Sequence, residues 1–523
     1  MSRLRALAGT ACTLFATVGF ATGNEGNFSG QAGALVDYRQ VVVSRADIAC
    51  KQLVKSFIAE ARVITAEAVA ASGDDPEYCR VIGAIPSAIR FVVYLPTAWN
   101  GRLYMHGNGG DAGESLDHAP YHRLRLNALR NGFVAAFTNT GHDAATEPGA
   151  VWAHDDPTRE ADYGYRAVHV SATAVKELLH AYYGEPVHHA YFDGCSTGGR
   201  QGLMEAQRFP EDFDGILAGA PVFDLPDMLW QYEKNSLALE KTPISPERVA
   251  QLGEFIRTHY DKADDVEDGV IGDPLAIDFL PSRDLPRAGR DPDGFTDAEL
   301  TTLDTLYAPV MADGREIFPR TVVGAELVGQ VYKDADRSQV RMEAAWVSRV
   351  VPDGKGFLLQ PLILDSWFRY LAFDTDDPAR DWRRMDPAHD GPNMERMRGL
   401  LRAADPNLRP FAQRGGKLII YHGWADFGVN PLRTIQYVDK LRAMSSLRAD
   451  DYVRLYLVPG MFHCSGGTNV GCPLYMSYWY AMNAFFSSGV RTGITTTSVG
   501  VAITAGDLFT CESGLMQRGL SHS

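Results

Sequence analysis

A serine hydroxyl attacks a carbonyl only when a neighbouring base takes its proton, so serines set for such chemistry carry a recognisable frame. Residues 194–199, GCSTGG, contain the pattern G-x-S-x-G with Ser196 at its centre. A strand-like HAYFD precedes the motif and a helix-like GGRQGLMEAQRF follows it. In that context Ser196 stands on a sharp strand-to-helix turn with its hydroxyl exposed at the top of a sheet. Gly194 and Gly198 leave room for the turn, and the N–H of Thr197 at the helix start points at a developing oxyanion. The motif alone recurs by chance; the strand before and the helix after give it weight.

The base needs an orienting carboxylate, and behind this kind of turn the partners follow in the order serine, acid, histidine. LIIYHGWADFGVNP ends a strand-like run and offers Asp426, while RLYLVPGMFHCSGG ends the next and offers His463. Loops at the C-terminal ends of strands build the sites of open α/β sheets. Among 14 histidines, His422 and His142 compete, each near an expected strand end. His463 has the right order, the right loop and a cysteine beside it. Asp426 is less singular, because Asp-rich loops are common in this chain. A second oxyanion donor is expected from LYMHGNGGDAG, where Gly107, Gly109 and Gly110 free the backbone. No G-K-[ST] follows, which argues against a phosphate-binding loop.

Cys195 directly precedes Ser196, and Cys464 directly follows His463. If the two are bonded, their Cα atoms lie about 4.4–6.8 Å apart and nucleophile and base are held together. Closing so long a loop contributes roughly 5 kcal/mol in the chain-entropy model. The alternatives are two free buried thiols or a cysteine nucleophile, although the turn register puts Ser196, not Cys195, at the tip.

The elements that position these residues alternate. RFVVYLP, RLYMH, FVAAFTNT, HAYFDG, GILAGAP, GGKLIIYHG and DYVRLYLVPG read as strands. DYGYRAVHVSATAVKELLHAYY has helical spacing and stops at Gly184. This alternation implies an α/β class with a mainly parallel sheet. Residues 224–414 are richer in Asp, Pro, Gly and Arg and read as an insertion between two late strands, a lid over the site; a separate accessory domain is the alternative. The expected division is 1–23 signal peptide, 24–223 with 415–523 catalytic domain, and 224–414 lid.

The chain has 523 residues and a formal net charge of -15, with no basic run to bind nucleic acid. Arg3 and Arg5, an apolar run from Leu7 to Ala21 and small residues beyond read as a secretory signal peptide cleaved near Ala21 to Asn24. That run is shorter than the roughly 20 residues of a membrane span, and no later segment reads as one. Export to an exterior or periplasmic compartment makes disulfides the expected state of Cys50, Cys79, Cys195, Cys464, Cys472 and Cys511.

The order Cys-Ser, Asp, His-Cys, with the blocks YFDGCSTGGRQGLMEAQRFPEDFDGILAGAP, LPTAWNGRLYMHGNGG, GFVAAFTNTGHD, GWADFGVNP and GMFHCSGG, resembles the tannase and feruloyl esterase family, which includes mono(2-hydroxyethyl) terephthalate hydrolase. The resemblance runs from about Cys50 to Cys472. It implies an α/β-hydrolase core with a lid and aromatic carboxylic esters as substrates; acyl-enzyme chemistry on such a serine needs no organic cofactor. It also implies a Cys195–Cys464 disulfide and a triad of Ser196, Asp426 and His463. The family-like PEYCRVIG supports Cys50 with Cys79, and parity alone leaves Cys472 with Cys511. Relatives hold calcium on an Asp-rich lid loop, here YDKADDVEDGVIGDP, where Asp261, Asp264 and Asp268 offer carboxylates and Val266 and Val270 carbonyls. The alternative is a solvated acidic loop. Tyr260 stands where many relatives have a cysteine, and the tail beyond Cys472 departs from the family ending.

The expectation is an exported serine esterase, monomer or homodimer, acting on feruloyl, galloyl or terephthaloyl esters. Trp230, Trp367, Phe368 and Tyr370 of the lid either stack on a substrate ring or pack the lid itself. The competing classes are an amidase with the same triad and a non-catalytic exported binding protein on the same scaffold.

Overall fold

The computed structural model describes residues 42–331, 341–344, 346, 359–444 and 447–465. The expected signal segment and the expected Cys472–Cys511 pair lie outside the described residues.

One sheet of nine strands organises the chain: β1 (Arg62–Val69), β2 (Tyr78–Ile85), β3 (Ile89–Pro96), β4 (Arg102–His106), β5 (Val134–Thr138), β6 (His189–Cys195), β7 (Gly215–Gly219), β8 (Lys417–Gly423) and β9 (Val453–Val458). Their order across the sheet is β9-β8-β7-β6-β4-β5-β3-β2-β1. The pairs from β9 to β5 are parallel, and β3 joins β5 antiparallel, as do β2 to β3 and β1 to β2. The parallel part was expected from the alternation of strands and helices. Strands β1 and β2, the last two at that end of the sheet, were not, because a half-exposed strand such as RVITAEAV carries no continuous apolar run.

Strand side chains alternate between faces, and the core divides accordingly. Val93, Leu103, Met105, Val134, Ala136, Phe192, Ile216, Ala218, Leu418 and Ile420 face one layer of helices: α2 (Ala167–Tyr183), α3 (Thr197–Arg208) and α6 (Pro431–Met444). Tyr94, Tyr104, Phe137, Tyr191, Leu217, Ile419 and Tyr421 lie on the opposite face, against α1 (Ala119–Arg130). Helix α2 ends where Gly184 takes φ 70°, a left-handed stop that costs a glycine little. The last turns of β4, β6, β8 and β9 open towards one end of the sheet, where the loops with candidate chemistry sit.

Between β7 and β8, which are adjacent and parallel in the sheet, the chain leaves to form helices that include α4 (Leu225–Lys241) and α5 (Leu359–Tyr370) and two hairpins. The apolar residues of this insertion form two clusters, one shared with Trp152, Tyr163 and Val429 and the other with Phe427. Its root is pinned by buried charges. Asp224 receives Arg402 at 2.6 Å and also Arg433, and Asp227 receives Arg398 at 2.8 Å and also Arg402. Both carboxylates are buried, and each is paired with two arginines, which offsets the cost of holding a charge in low dielectric.

The N-terminal segment is tied to β2 by the Cys50–Cys79 disulfide, with Cα atoms 5.6 Å apart and a sequence separation of 29. In the chain-entropy model the bond contributes roughly 3–4 kcal/mol. The double variant Cys50→Ala with Cys79→Ala is expected to unfold at lower urea, read by tryptophan fluorescence. An unchanged midpoint would show that the bond adds no stability.

Candidate active site

Ser196 joins β6 to α3 with φ 63° and ψ −120°, a conformation that L-residues adopt at a cost of about 1–3 kcal/mol. Its N–H donates to the Gly219 carbonyl at 2.9 Å, and its own carbonyl accepts from Arg200 at 3.0 Å and Val222 at 3.2 Å. The turn is crowded. A Cβ on Gly194 would stand 2.6 Å from the Gly198 backbone, so only glycine fits there. The Cys195–Cys464 disulfide holds the residue before Ser196 to the residue after His463, Cα to Cα 5.8 Å.

Asp426, in the loop after β8, is buried, and its Oδ2 lies 2.6 Å from His463 Nδ1 in the loop after β9. Asp426 Oδ1 accepts from the N–H groups of Gly428 and Val429, both at 2.9 Å. Burial alone would raise this carboxyl, but the neighbouring His463 and His422 outweigh it and hold Asp426 well below the usual carboxylate range. The Asp426–His463 pair joins the two residues the sequence put forward.

The competing histidines have other partners. His422 is fully buried; its Nε2 lies 3.0 Å from the Val429 carbonyl and 3.2 Å from Asp426 Oδ2, and its Nδ1 is 2.9 Å from Thr434 Oγ1. A carbonyl only accepts, so Nε2 carries the hydrogen and Nδ1 accepts from the threonine hydroxyl. His422 therefore stands behind the acid as a hydrogen-bond donor. His142 stacks on Trp152 and its Nε2 donates to the Asp111 carbonyl at 2.9 Å. Burial lowers it to about 4, and it props the loop that follows β4.

In that loop the backbone N–H groups are mostly spent. Gly107 donates to the Asp193 carbonyl, Asn108 to Gln201 Oε1 and Gly109 to Glu114 Oε1 at 2.7 Å. In this structure the Gly109 hydrogen is held by the Glu114 carboxylate. Gly110 is left without an acceptor among the described residues, and its carbonyl receives Thr197 Oγ1 at 2.6 Å. Thr197 opens α3, where a helix has N–H groups with no internal partner. Ser196, His463, Gly110 and Tyr421 stand in the wall of a cleft of about 380 Å³, together with His106 and Asp193.

His106 and Asp193 were missed as site residues. They are cross-strand neighbours at the ends of β4 and β6, His106 Nδ1 pairs with Asp193 Oδ1, and Tyr104 donates to the same oxygen at 2.8 Å. The only signal was their place at strand ends inside two motif blocks.

The insertion aromatics pack rather than line the cleft. Trp230 meets Phe368 edge-on at 5.1 Å, Tyr370 lies 5.1 Å from His154, and Trp367 donates from Nε1 to Asp111 at 2.8 Å. In the acidic loop the carboxylates order their own backbone. Asp261 accepts from Gly269, Asp264 from Val266 and Gly272, and Asp268 from Val270. All donors there, with the Val266 and Val270 carbonyls, are the hard oxygens that suit Ca²⁺. The three carboxylates are not among the side-chain groups whose ligand atoms lie within 4.8 Å of one another.

Residues 77–490 match the family model of tannase and feruloyl esterase. The chain belongs to the tannase and feruloyl esterase family. A probable feruloyl esterase B-2 of Aspergillus flavus is 30% identical over 391 residues, covering 73% of this chain and 68% of that protein. Mono(2-hydroxyethyl) terephthalate hydrolase of Piscinibacter sakaiensis is 30% identical over 465 residues, covering 77% and 75%. Feruloyl esterase B from Aspergillus oryzae shares the fold at TM-score 0.66 and 24% identity, covering 80% of this chain and 83% of its own. Tannin acyl hydrolase from Aspergillus niger does so at TM-score 0.59 and 21% identity, covering 84% and 87%. As a member of the tannase and feruloyl esterase family with an α/β-hydrolase fold, the chain is a carboxylic ester hydrolase.

The His422 donor generates a test. In His422→Phe, the buried Asp426 loses one hydrogen-bond donor, and a buried acceptor left short of a partner costs about 1–3 kcal/mol. The variant is expected to unfold at lower urea, read by tryptophan fluorescence. An unchanged midpoint would show that His422 does not support the pair.

Proposed function

We propose that this esterase works through an acyl-enzyme on Ser196, with His463 as the base and Asp426 as its orienting acid. The observation that carries the reading is the Cys195–Cys464 disulfide, which ties the neighbour of the serine to the neighbour of a histidine already bonded to a buried aspartate. Ser196 Oγ attacks the ester carbonyl as His463 Nε2 takes its proton, and Asp426 stabilises the imidazolium. Thr197 and Gly110 supply N–H groups to the oxyanion. His463 then protonates the leaving alcohol, and water, deprotonated by the same histidine, releases the acid.

The substrate class proposed is esters of aromatic carboxylic acids, of the feruloyl or galloyl kind. The half-ester of a terephthalate is the second reading, favoured by the relative from Piscinibacter sakaiensis. Residues 224–414 are proposed as a lid over the cleft. Two disulfides and the leader-like residues 1–23 support export, secreted or periplasmic.

Purified protein is expected to hydrolyse methyl ferulate or methyl gallate, with Ser196→Ala at least about 10³-fold slower and no longer labelled by a serine-directed fluorophosphonate. Labelling elsewhere, or an active Ser196→Ala, would remove the triad. Labelling at Ser196 with no ester cleaved would point to an amidase, and no labelling at all to a binding protein.

We also propose a structural calcium ion at Asp261, Asp264, Asp268, Val266 and Val270. Its chemistry would be to cross-link the loop, away from the cleft. Adding Ca²⁺ to chelator-treated protein is then expected to raise the melting temperature, and Asp261→Ala to abolish the rise. Equal melting with and without Ca²⁺ would leave the loop a plain acidic turn.

A further inference from the structure

The cleft beside Ser196 holds a second histidine–aspartate pair that the acyl-transfer chemistry does not use. His106 closes β4 and Asp193 stands opposite it on β6, three residues before the nucleophile. Asp193 is buried, with a side chain only 2% exposed, whereas the His106 side chain is 20% exposed and reaches the cleft. The Asp193 carboxylate accepts from Tyr104 and from His106 Nδ1, so the Nδ1 hydrogen is committed. In the neutral ring Nε2 is then an acceptor, and it has no hydrogen-bond partner among the described residues. Tyr121 and Phe137 meet the ring edge-on at 5.7 and 6.2 Å and fix its plane.

The charge of the cleft narrows what this acceptor can meet. Asp193 and Glu114 put two carboxylates in its wall, and no lysine or arginine stands among the described residues that line it. A substrate bearing its own free carboxylate would bring a third negative group into a site without a fixed cation. A ring hydroxyl instead donates one hydrogen bond to Nε2 and adds no charge. Burying such a hydroxyl against an oriented acceptor is the arrangement by which a site rejects analogues that lack the donor.

We propose, resting on the ester hydrolase reading above, that His106 held by Asp193 is a specificity-determining residue that accepts a hydrogen bond from a ring hydroxyl of the substrate. The enzyme accordingly selects hydroxylated aromatic esters over half-esters of aromatic dicarboxylic acids. Asp193 acts through His106 as a positioning residue.

The test compares kcat/KM of the wild type, His106→Phe and His106→Gln on three probes. These are methyl ferulate, its 4-O-methyl ether methyl 3,4-dimethoxycinnamate, and monomethyl terephthalate. Fluorophosphonate labelling of Ser196 in each variant reports the catalytic machinery separately. The wild type is expected to favour the free phenol over its ether by about tenfold, the scale of one hydrogen bond to an oriented acceptor. His106→Phe brings that ratio near one, while His106→Gln, whose amide oxygen also accepts, keeps part of it. A ratio near one in the wild type, an unchanged ratio in His106→Phe, or a wild-type preference for monomethyl terephthalate would each overturn the proposal. If His106→Phe fails to fold, the wild-type ratio and the His106→Gln ratio still decide. Absence of Ser196 labelling in the wild type would overturn the parent reading and this one together, whereas labelling with no hydroxyl preference overturns this one alone.

Discussion

The constraint on which the rest depends is the left-handed turn at Ser196. A serine at φ 63° is held only where its surroundings over-determine it, and here three kinds of contact do so. Backbone hydrogen bonds anchor the turn to Gly219 and Val222 in the β7 loop. Gly194 and Gly198 allow the chain to pass itself at a distance no side chain would permit. The disulfide at Cys195 then fastens the turn to the loop that carries His463. Because the strained residue sits at the centre of the parallel strands, the ends of β4, β8 and β9 converge on it from both sides.

The insertion is bound to this centre by polar contacts rather than by a shared apolar core alone. Trp367 reaches Asp111 in the loop that carries Gly110, and Ser366 accepts from the Ala150 backbone at 2.6 Å. At the root, Asp224 and Asp227 are buried between arginines from the returning chain. Buried charges tolerate few alternative arrangements, so this network sets where the insertion stands as well as that it stands there. The aromatic residues that could have stacked on a substrate are consumed in that packing.

Two histidine–aspartate pairs thus flank one serine, and their surroundings divide their roles. Asp426 accepts from two backbone N–H groups and His422 as well as from His463, which keeps it ionised. Asp193 has a tyrosine and a histidine as partners, and that histidine faces the cleft rather than the nucleophile's loop. In the mechanism proposed above, the same two side-chain types orient a base in one case and present an acceptor in the other.

Sequence by itself determined what is local. The turn at Ser196, the loops that carry Asp426 and His463, the central strands and the two cysteines beside Ser196 and His463 were legible because each is written in a few consecutive residues. Tertiary structure alone decided what depends on strand order and on competition for hydrogen bonds. His106 meets Asp193 because β4 lies beside β6, with β5 displaced to its other side, and no spacing in the chain encodes that neighbourhood. Gly109 and Gly110 read alike in sequence; only the fold brings Glu114 to one of them and leaves the other its N–H. The physical reason is the same in both cases: a backbone motif is set by local torsions, whereas a side chain's partner is set by which distant segment packs against it.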